Sequence, residues 1–279
     1  MTRMRTSWEL AKRSWAVLRS DTSLAWFPVF SFLATLGVVG VVAGLIAAAG
    51  LDDRATGNAL RPIGYVFVVL GYLGVALVQT YFLAALVAGA DQRLRGGQST
   101  VSSGLAAAND RLHRLLPWAI VTATVSLVLN MLERRGVIGR IIAGVLGLAW
   151  SLITFLTVPI LVLEDIGIGA AFTRSKDLFR RTWGENVVGQ AGLGVVGFLV
   201  TIPAVFLLMV GAALGTAGLV VLGGVALIWV IVTAVVLAAL NGIYRTALYH
   251  FATTGQVPPD FAGSDFRAAF RPRGDRTDQ

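Results

Sequence analysis

The chain has no cysteine and only two histidines in 279 residues. No disulfide, thiolate metal site or cysteine nucleophile is therefore available. His113 and His250 have no second ligand at metal spacing, so no metal site and no cofactor are expected. Ser14, Ser175 and the other serines sit in no nucleophile-elbow context. Charge is scarce as well. Asp, Glu, Lys and Arg make up 14% of the residues, against about 25% in an ordinary soluble domain. Charged residues are missing altogether between Asp21 and Asp52, Arg61 and Asp91, Arg114 and Glu133, Arg140 and Glu164, and Glu185 and Arg245.

What fills those windows is apolar, and 56% of the chain is hydrophobic. Crossing a hydrocarbon core of about 30 Å takes about 20 apolar residues. Four windows each fit one helix, and the last fits two, divided at the glycine-rich 211–218. The fold class read from this pattern is all-α: a polytopic membrane protein with six transmembrane helices. The spans are placed at 24–49, 62–90, 116–132, 141–163, 186–210 and 219–244. Pro28 and Pro117 stand near the starts of spans one and three, and Pro203 inside span five predicts a kink. Gly40 and Gly44 form a small-xxx-small pair of the kind that lets helices approach closely. The first span is too long for a signal-peptide core and is read as uncleaved. The division is a membrane domain over 1–250 and a basic cytoplasmic tail over 251–279.

Three amphipathic surface helices are predicted, at 7–20, 104–116 and 168–183, each leading into an apolar run. In the first, Trp8, Ala11, Trp15 and Leu18 recur at helical spacing. Lys12 and Arg13 lie elsewhere on the wheel. The second carries Arg111 and Arg114, and the third Arg174, Lys176, Arg180, Arg181 and Trp183. Tryptophans at headgroup depth and bases toward an anionic surface define such helices. Surface helix, span, short turn, span occurs three times, a repeat of hydropathy and charge rather than of identity.

Lysine and arginine number eighteen on the surface-helix side and five on the other. The positive-inside rule then places both termini in the cytoplasm of a cell (plasma or inner) membrane. The net charge of +8 sits at membrane edges, so anionic lipid headgroups, not nucleic acid, are the expected partner. A partner membrane protein is the other expectation.

Three stretches resemble a known family. SWELAKRSWAVLRSD followed by a Phe-Pro-containing span, ALYHFATTGQVPPDF, and FRAAFRPR are similar to the opening and ending of an uncharacterised prokaryotic six-span membrane protein family. Pro159, Glu164, Ala171, Arg174, Ser175 and Trp183 are more loosely similar to the membrane domain of some glycerophosphodiester phosphodiesterases and to YciC-type inner-membrane proteins. The first resemblance implies a six-span architecture and brings no activity. The second implies a membrane-domain fold alone, because the chain holds no phosphodiesterase domain.

Gly192, Gly194 and Gly197 match GxGxxG, but inside an apolar span and with no acid about twenty residues on. They are read as helix packing. Gln79, Asn130, Thr154, Thr157, Gln190 and Asn241 are polar at or near span depth and are read as interhelical hydrogen-bonding groups. Glu164 and Asp165 end an apolar run. Asp165 is read as a cap for the following helix. Glu164 is read as pairing with an arginine of a surface helix, Arg174 or one from another repeat, such as Arg13 or Arg114. The competing reading of this acid pair is proton or ion coupling. The function expected is non-enzymatic, acting on lipid or a partner membrane protein, with a small transporter or channel as the alternative.

Overall fold

The computed structural model describes residues 12–53, 59–183, 188–256 and 258–261. Trp8, the start of the first predicted surface helix and the tail from 262 onward lie outside the described residues. The elements are α1 (12–20), α2 (Ser23–Ala48), the paired two-residue strands β1 (Asp52–Asp53) and β2 (Ala59–Leu60), α3 (Pro62–Leu94), α4 (Val101–Asp110), α5 (Leu112–Glu133), α6 (Gly136–Ile153), α7 (Thr157–Leu163), α8 (Ile168–Trp183), α9 (Val188–Ala213) and α10 (Gly215–Thr254). A 3₁₀ turn, Pro259–Phe261, follows. Apart from the strand pair, the described elements are helical, because a backbone in lipid must satisfy its own polar groups. The strand pair occupies only the short loop between α2 and α3, where Arg61 N–H also donates to the Leu51 carbonyl at 3.0 Å.

Five stretches are long and apolar enough to cross a membrane: α2, α3, α5, α6 together with α7 (Gly136–Leu163), and α10. This is a helical membrane protein. Each of the five is bare at one end and buried at the other. In α3, Ala84–Asp91 are buried while Ile63, Tyr65, Val66 and Leu70 are exposed. In α10 nearly every residue from Ala239 to Tyr249 is buried, while Val220, Val221, Leu227 and Ile228 are exposed. Here the buried end is called basal; it adjoins α1, α4, α8 or the residues that follow α10. The bare part of α2, residues 29–48, rises about 30 Å, the thickness of a hydrocarbon core. Exposed apolar side chains on that scale face lipid, not water.

The chain divides into two compact units. One comprises residues 1–28, 89–100 and 177–279. It holds the hairpin of α9 and α10, closed at Leu214 and Gly215, whose φ of +83° only glycine adopts freely. At that turn Gly211 packs so closely that an added Cβ would lie 3.0 Å from the Gly218 carbonyl oxygen and 3.2 Å from Leu222 Cβ. The other unit comprises 29–88 and 101–176. In it Gly71 and Gly74 of α3 receive Val42 and Val38 of α2, and Gly147 of α6 faces Leu129 of α5.

Several sequence expectations need correction. Gly40 and Gly44 have nothing within 4 Å of where a Cβ would stand, so the close approach of α2 and α3 rests on the glycines of α3 instead. Pro28 and Pro117 are the sixth residues of α2 and α5, one turn deeper than a helix start. The surface helix placed at 104–116 ends at Asp110. Arg111 leaves helical geometry (φ −99°, ψ 5°), and Leu112 onward belongs to α5. The sequence VSSGLAAAND of α4 contains no base at all, so the basic character assigned to it belongs to its flanks. On α1 the buried face is Ser14, Val17 and Leu18, whereas Trp15 is 45% exposed. Trp15 and Leu18 therefore do not share an environment. Span four is broken, with α6 ending at Ile153 and α7 starting at Thr157. Thr154 Oγ1 donates back to the Trp150 carbonyl at 2.7 Å, competing with the helix ladder. Pro159 has no N–H to offer the carbonyl four residues earlier. The Ile153 carbonyl is taken by Ser175 Oγ of α8 at 2.6 Å.

Candidate functional site

Helix α7 stops at Leu163, and Glu164 is extended (φ −108°, ψ 147°), its N–H held by the Ile160 carbonyl at 2.8 Å. The chain bends through Asp165, Ile166 and Gly167 and starts α8, where the Ala171 N–H donates to the Gly167 carbonyl at 2.9 Å. The bend carries the second turn of α8 back toward the acids. Arg174 Nε donates to both carboxylate oxygens of Glu164, each at 2.9 Å. From the start of α5, Arg114 donates to the Glu164 carbonyl at 3.3 Å and to the Asp165 carboxylate, and Arg111 reaches Asp165 at 3.2 Å. Two acids and three arginines from two helices and a bend thus form one cluster. Glu164 was read as pairing with Arg174 or an arginine of another repeat, and both Arg174 and Arg114 stand beside it. Arg13 belongs to the other unit. The cap for α8 expected of Asp165 is not made; its carboxylate turns to Arg111 and Arg114 instead.

The helices that carry the cluster's Arg114 and Arg174 also contribute to an aromatic stack. Trp118, 3% exposed, stacks on Trp150 at 5.9 Å, and Phe172 of α8 stacks on the other side at 6.0 Å. The helix α8 buries Ala171, Ser175 and Leu178, one face at helical spacing, and leaves Arg174 and Arg180 exposed. The Arg114 hydrogen bond and charge, with Arg111 and His113 adding to them, hold the Asp165 carboxyl below the usual carboxylate range. Its side chain is 76% exposed, so solvent screens the pair. The other named residues lie apart. Lys12 and Arg13 are exposed on α1, and Lys176 is half-buried on α8. Arg181 and Trp183 are helical, and their side chains lie outside the described residues.

Two further polar clusters lie in the other unit. In the first, Asp21 accepts from Ser23 N–H at 3.1 Å and Ser23 Oγ at 2.6 Å, which caps the start of α2. Its second oxygen accepts from Ser99 N–H at 3.3 Å and Ser99 Oγ at 2.5 Å. Burial opposes ionisation of Asp21, but the bonds from Ser23 and Ser99 outweigh it and hold its carboxyl below the ordinary value. A carboxyl with a lowered folded-state value adds stability above its unfolded pKa, about 3.9, and loses it as pH falls through the lower folded value. Asp21→Asn is therefore expected to lower the melting temperature in detergent at neutral pH by a few degrees. The gap to wild type should close below about pH 4. A gap that stays constant down to acid unfolding counts against a role for the charge.

In the second cluster, His250 Nε2 lies 2.6 Å from Asp91 Oδ1, and Arg95 Nε lies 3.0 Å from Oδ2. Both members of the Asp91–His250 pair are largely buried, at 12% and 17% side-chain exposure. Sequence reading missed this pair, which is separated by 159 positions. One signal was present: Asp91, like Glu164, is the acid that closes an apolar run.

No curated protein and no solved structure matches the chain. The likeness to glycerophosphodiester phosphodiesterase membrane domains and YciC-type proteins therefore gains no support. A family match covers residues 62–258, from the first residue of α3 to just past α10, and takes in the Glu164 cluster and the Asp91–His250 pair but not Asp21. By that match, the chain belongs to DUF6159, a family of unknown function.

Proposed function

We propose that the chain is a six-span integral membrane protein of three helical hairpins, non-enzymatic, that works on anionic membrane lipid through a basic cytoplasmic collar. One observation carries the reading. In each unit, spanning helices that are bare and apolar along the distal part are packed at their basal ends, and the helices that adjoin those ends carry exposed bases: Lys12, Arg13 and Arg19 on α1, Arg174 and Arg180 on α8. Each base near an anionic surface contributes about 1 kcal/mol. The sixth span in this reading is α9, whose described apolar part is Gly197–Ala213.

The repeat draws support from two parallels. Gly104 and Ala108 of α4 are buried at the same offsets as Ala171 and Ser175 of α8. The loop before α4 is tied to the start of α2 by Ser99 and Asp21, and the loop before α8 to the start of α5 by Asp165, Arg111 and Arg114. The two ties carry their acid on opposite partners.

The test is melting of delipidated protein in detergent supplemented with phosphatidylglycerol or with phosphatidylcholine. Phosphatidylglycerol is expected to raise the midpoint by several degrees more. Replacing Arg174, Lys176 and Arg180 by Gln should remove most of that difference. Equal effects of the two lipids would sink the reading. The break at Thr154–Leu156 favours a second reading, a small transporter, since discontinuous helices line many transport sites. Uptake into proteoliposomes, without any lipid preference, would favour it.

A further inference from the structure

We infer that Asp91 and His250 form a pH-responsive clasp between the basal ends of α3 and α10. Asp91 stands in the last turn of α3 and His250 in the last two turns of α10. A helix C-terminus carries partial negative charge, which favours a cation and disfavours a carboxylate. An imidazolium at His250 therefore meets two attractions, the end of its own helix and the Asp91 carboxylate at 2.6 Å. A neutral imidazole at the same place keeps one ordinary hydrogen bond. Charge-assisted bonds are roughly twice as strong as neutral ones, and burial of both partners limits screening by solvent. The clasp is thus tight with a protonated imidazole and loose with a neutral one.

Among the described residues, Arg95 also stands on the pair, at 3.0 Å from Asp91. Tyr249 sets its ring edge-to-face with His250 at 5.8 Å. Arg93 donates to Ser20 of α1 and Arg245 to Asn241. The bases of α1 and, on the end of α8 in this unit, Asp177 and Arg180 are exposed. Arg95 thus adds a cationic contact to the Asp91 end of the clasp and none to the imidazole. The inference rests on this geometry and is independent of any action on lipid.

The experiment is a double-mutant cycle on the full chain in detergent, with Asp91→Asn, His250→Gln and the pair together, melted at about pH 6 and about pH 8.5, either side of the imidazole range. Coupling between the two positions is expected to reach several degrees at the acid setting and to fall by half or more at the alkaline one. Equal coupling at both settings shows a fixed structural contact and overturns the inference, as does no coupling at either. Should a variant fail to fold, amide exchange of the wild type decides. Protection at 248–254, corrected for intrinsic rates, is expected to drop roughly tenfold from acid to alkaline setting, with 215–238 unchanged. A change shared by both stretches, or none at 248–254, overturns it equally.

Discussion

Replacing Gly211 by Leu is expected to lower the melting temperature in detergent by about 9 °C, from about 3 kcal/mol at about 3 °C each. The atoms that a Cβ would meet are the Gly218 carbonyl oxygen at 3.0 Å, Leu222 Cβ at 3.2 Å and Leu219 Cα at 3.3 Å. Two of these are backbone, and none is the far end of a flexible side chain. The turn at Leu214 and Gly215 fixes how far the two helices can separate at this level. The side chain therefore opens the end of the hairpin, and with it the packing of α9 on α10. The matching control is Gly40→Leu, because nothing stands within 4 Å of that position. It should leave the midpoint within about 1 °C. Comparable losses from both substitutions would show that the distal part of α2 is covered by something outside the chain and that the hairpin turn is no special constraint.

The second large effect is expected at Ser175. Its side chain is fully buried, and its hydroxyl donates to the Ile153 carbonyl at 2.6 Å. That carbonyl ends α6 at the break, so losing the donor removes a bond to a part-buried acceptor, at a cost of about 1–3 kcal/mol. Ser175→Val, close in volume but without a donor, is expected to cost about 6 °C of melting temperature. Ser175→Thr keeps a hydroxyl and should recover part of that loss. The effect should extend to the ion cluster, because Arg174 is the neighbouring residue and depends on the same seating of α8. A Ser175→Val protein that melts like wild type would mean that the break is held by Pro159 and Thr154 alone.

These two sites differ in how far the sequence announces them. The glycine-rich 211–218 interrupts a charge-free window too long for one helix, so a turn there is legible from composition and length. The meeting of Glu164 with an arginine is legible too. An acid at the end of an apolar run needs a partner, and glycines after it let α8 fold back with Arg174 two turns on. The helix break is not legible in the same way. Its causes are a threonine bonding to its own backbone, a proline after the gap, and a serine 22 residues downstream, none of which interrupts the hydropathy. The Gly40–Gly44 spacing failed for a related reason. Spacing shows that a close approach is permitted, not that a neighbouring helix uses it, and Val38 and Val42 seat on Gly74 and Gly71 instead. The boundary of α4 was misplaced because the basic residues after Asp110 continue the amphipathic pattern, while Arg111 breaks the backbone geometry. The Asp91–His250 pair depends wholly on tertiary structure, since no local rule links positions so far apart.

Two connections described above, Arg134–Arg135 between α5 and α6 and Leu214 between α9 and α10, are one or two residues long. Each is followed by a glycine with φ above +80°. Connections so short leave a protease no extended segment to bind and an antibody almost no epitope. They are also poor places to insert a tag, since added residues would need the neighbouring helix ends to unwind. Handles for labelling, purification or fiducial binders belong elsewhere.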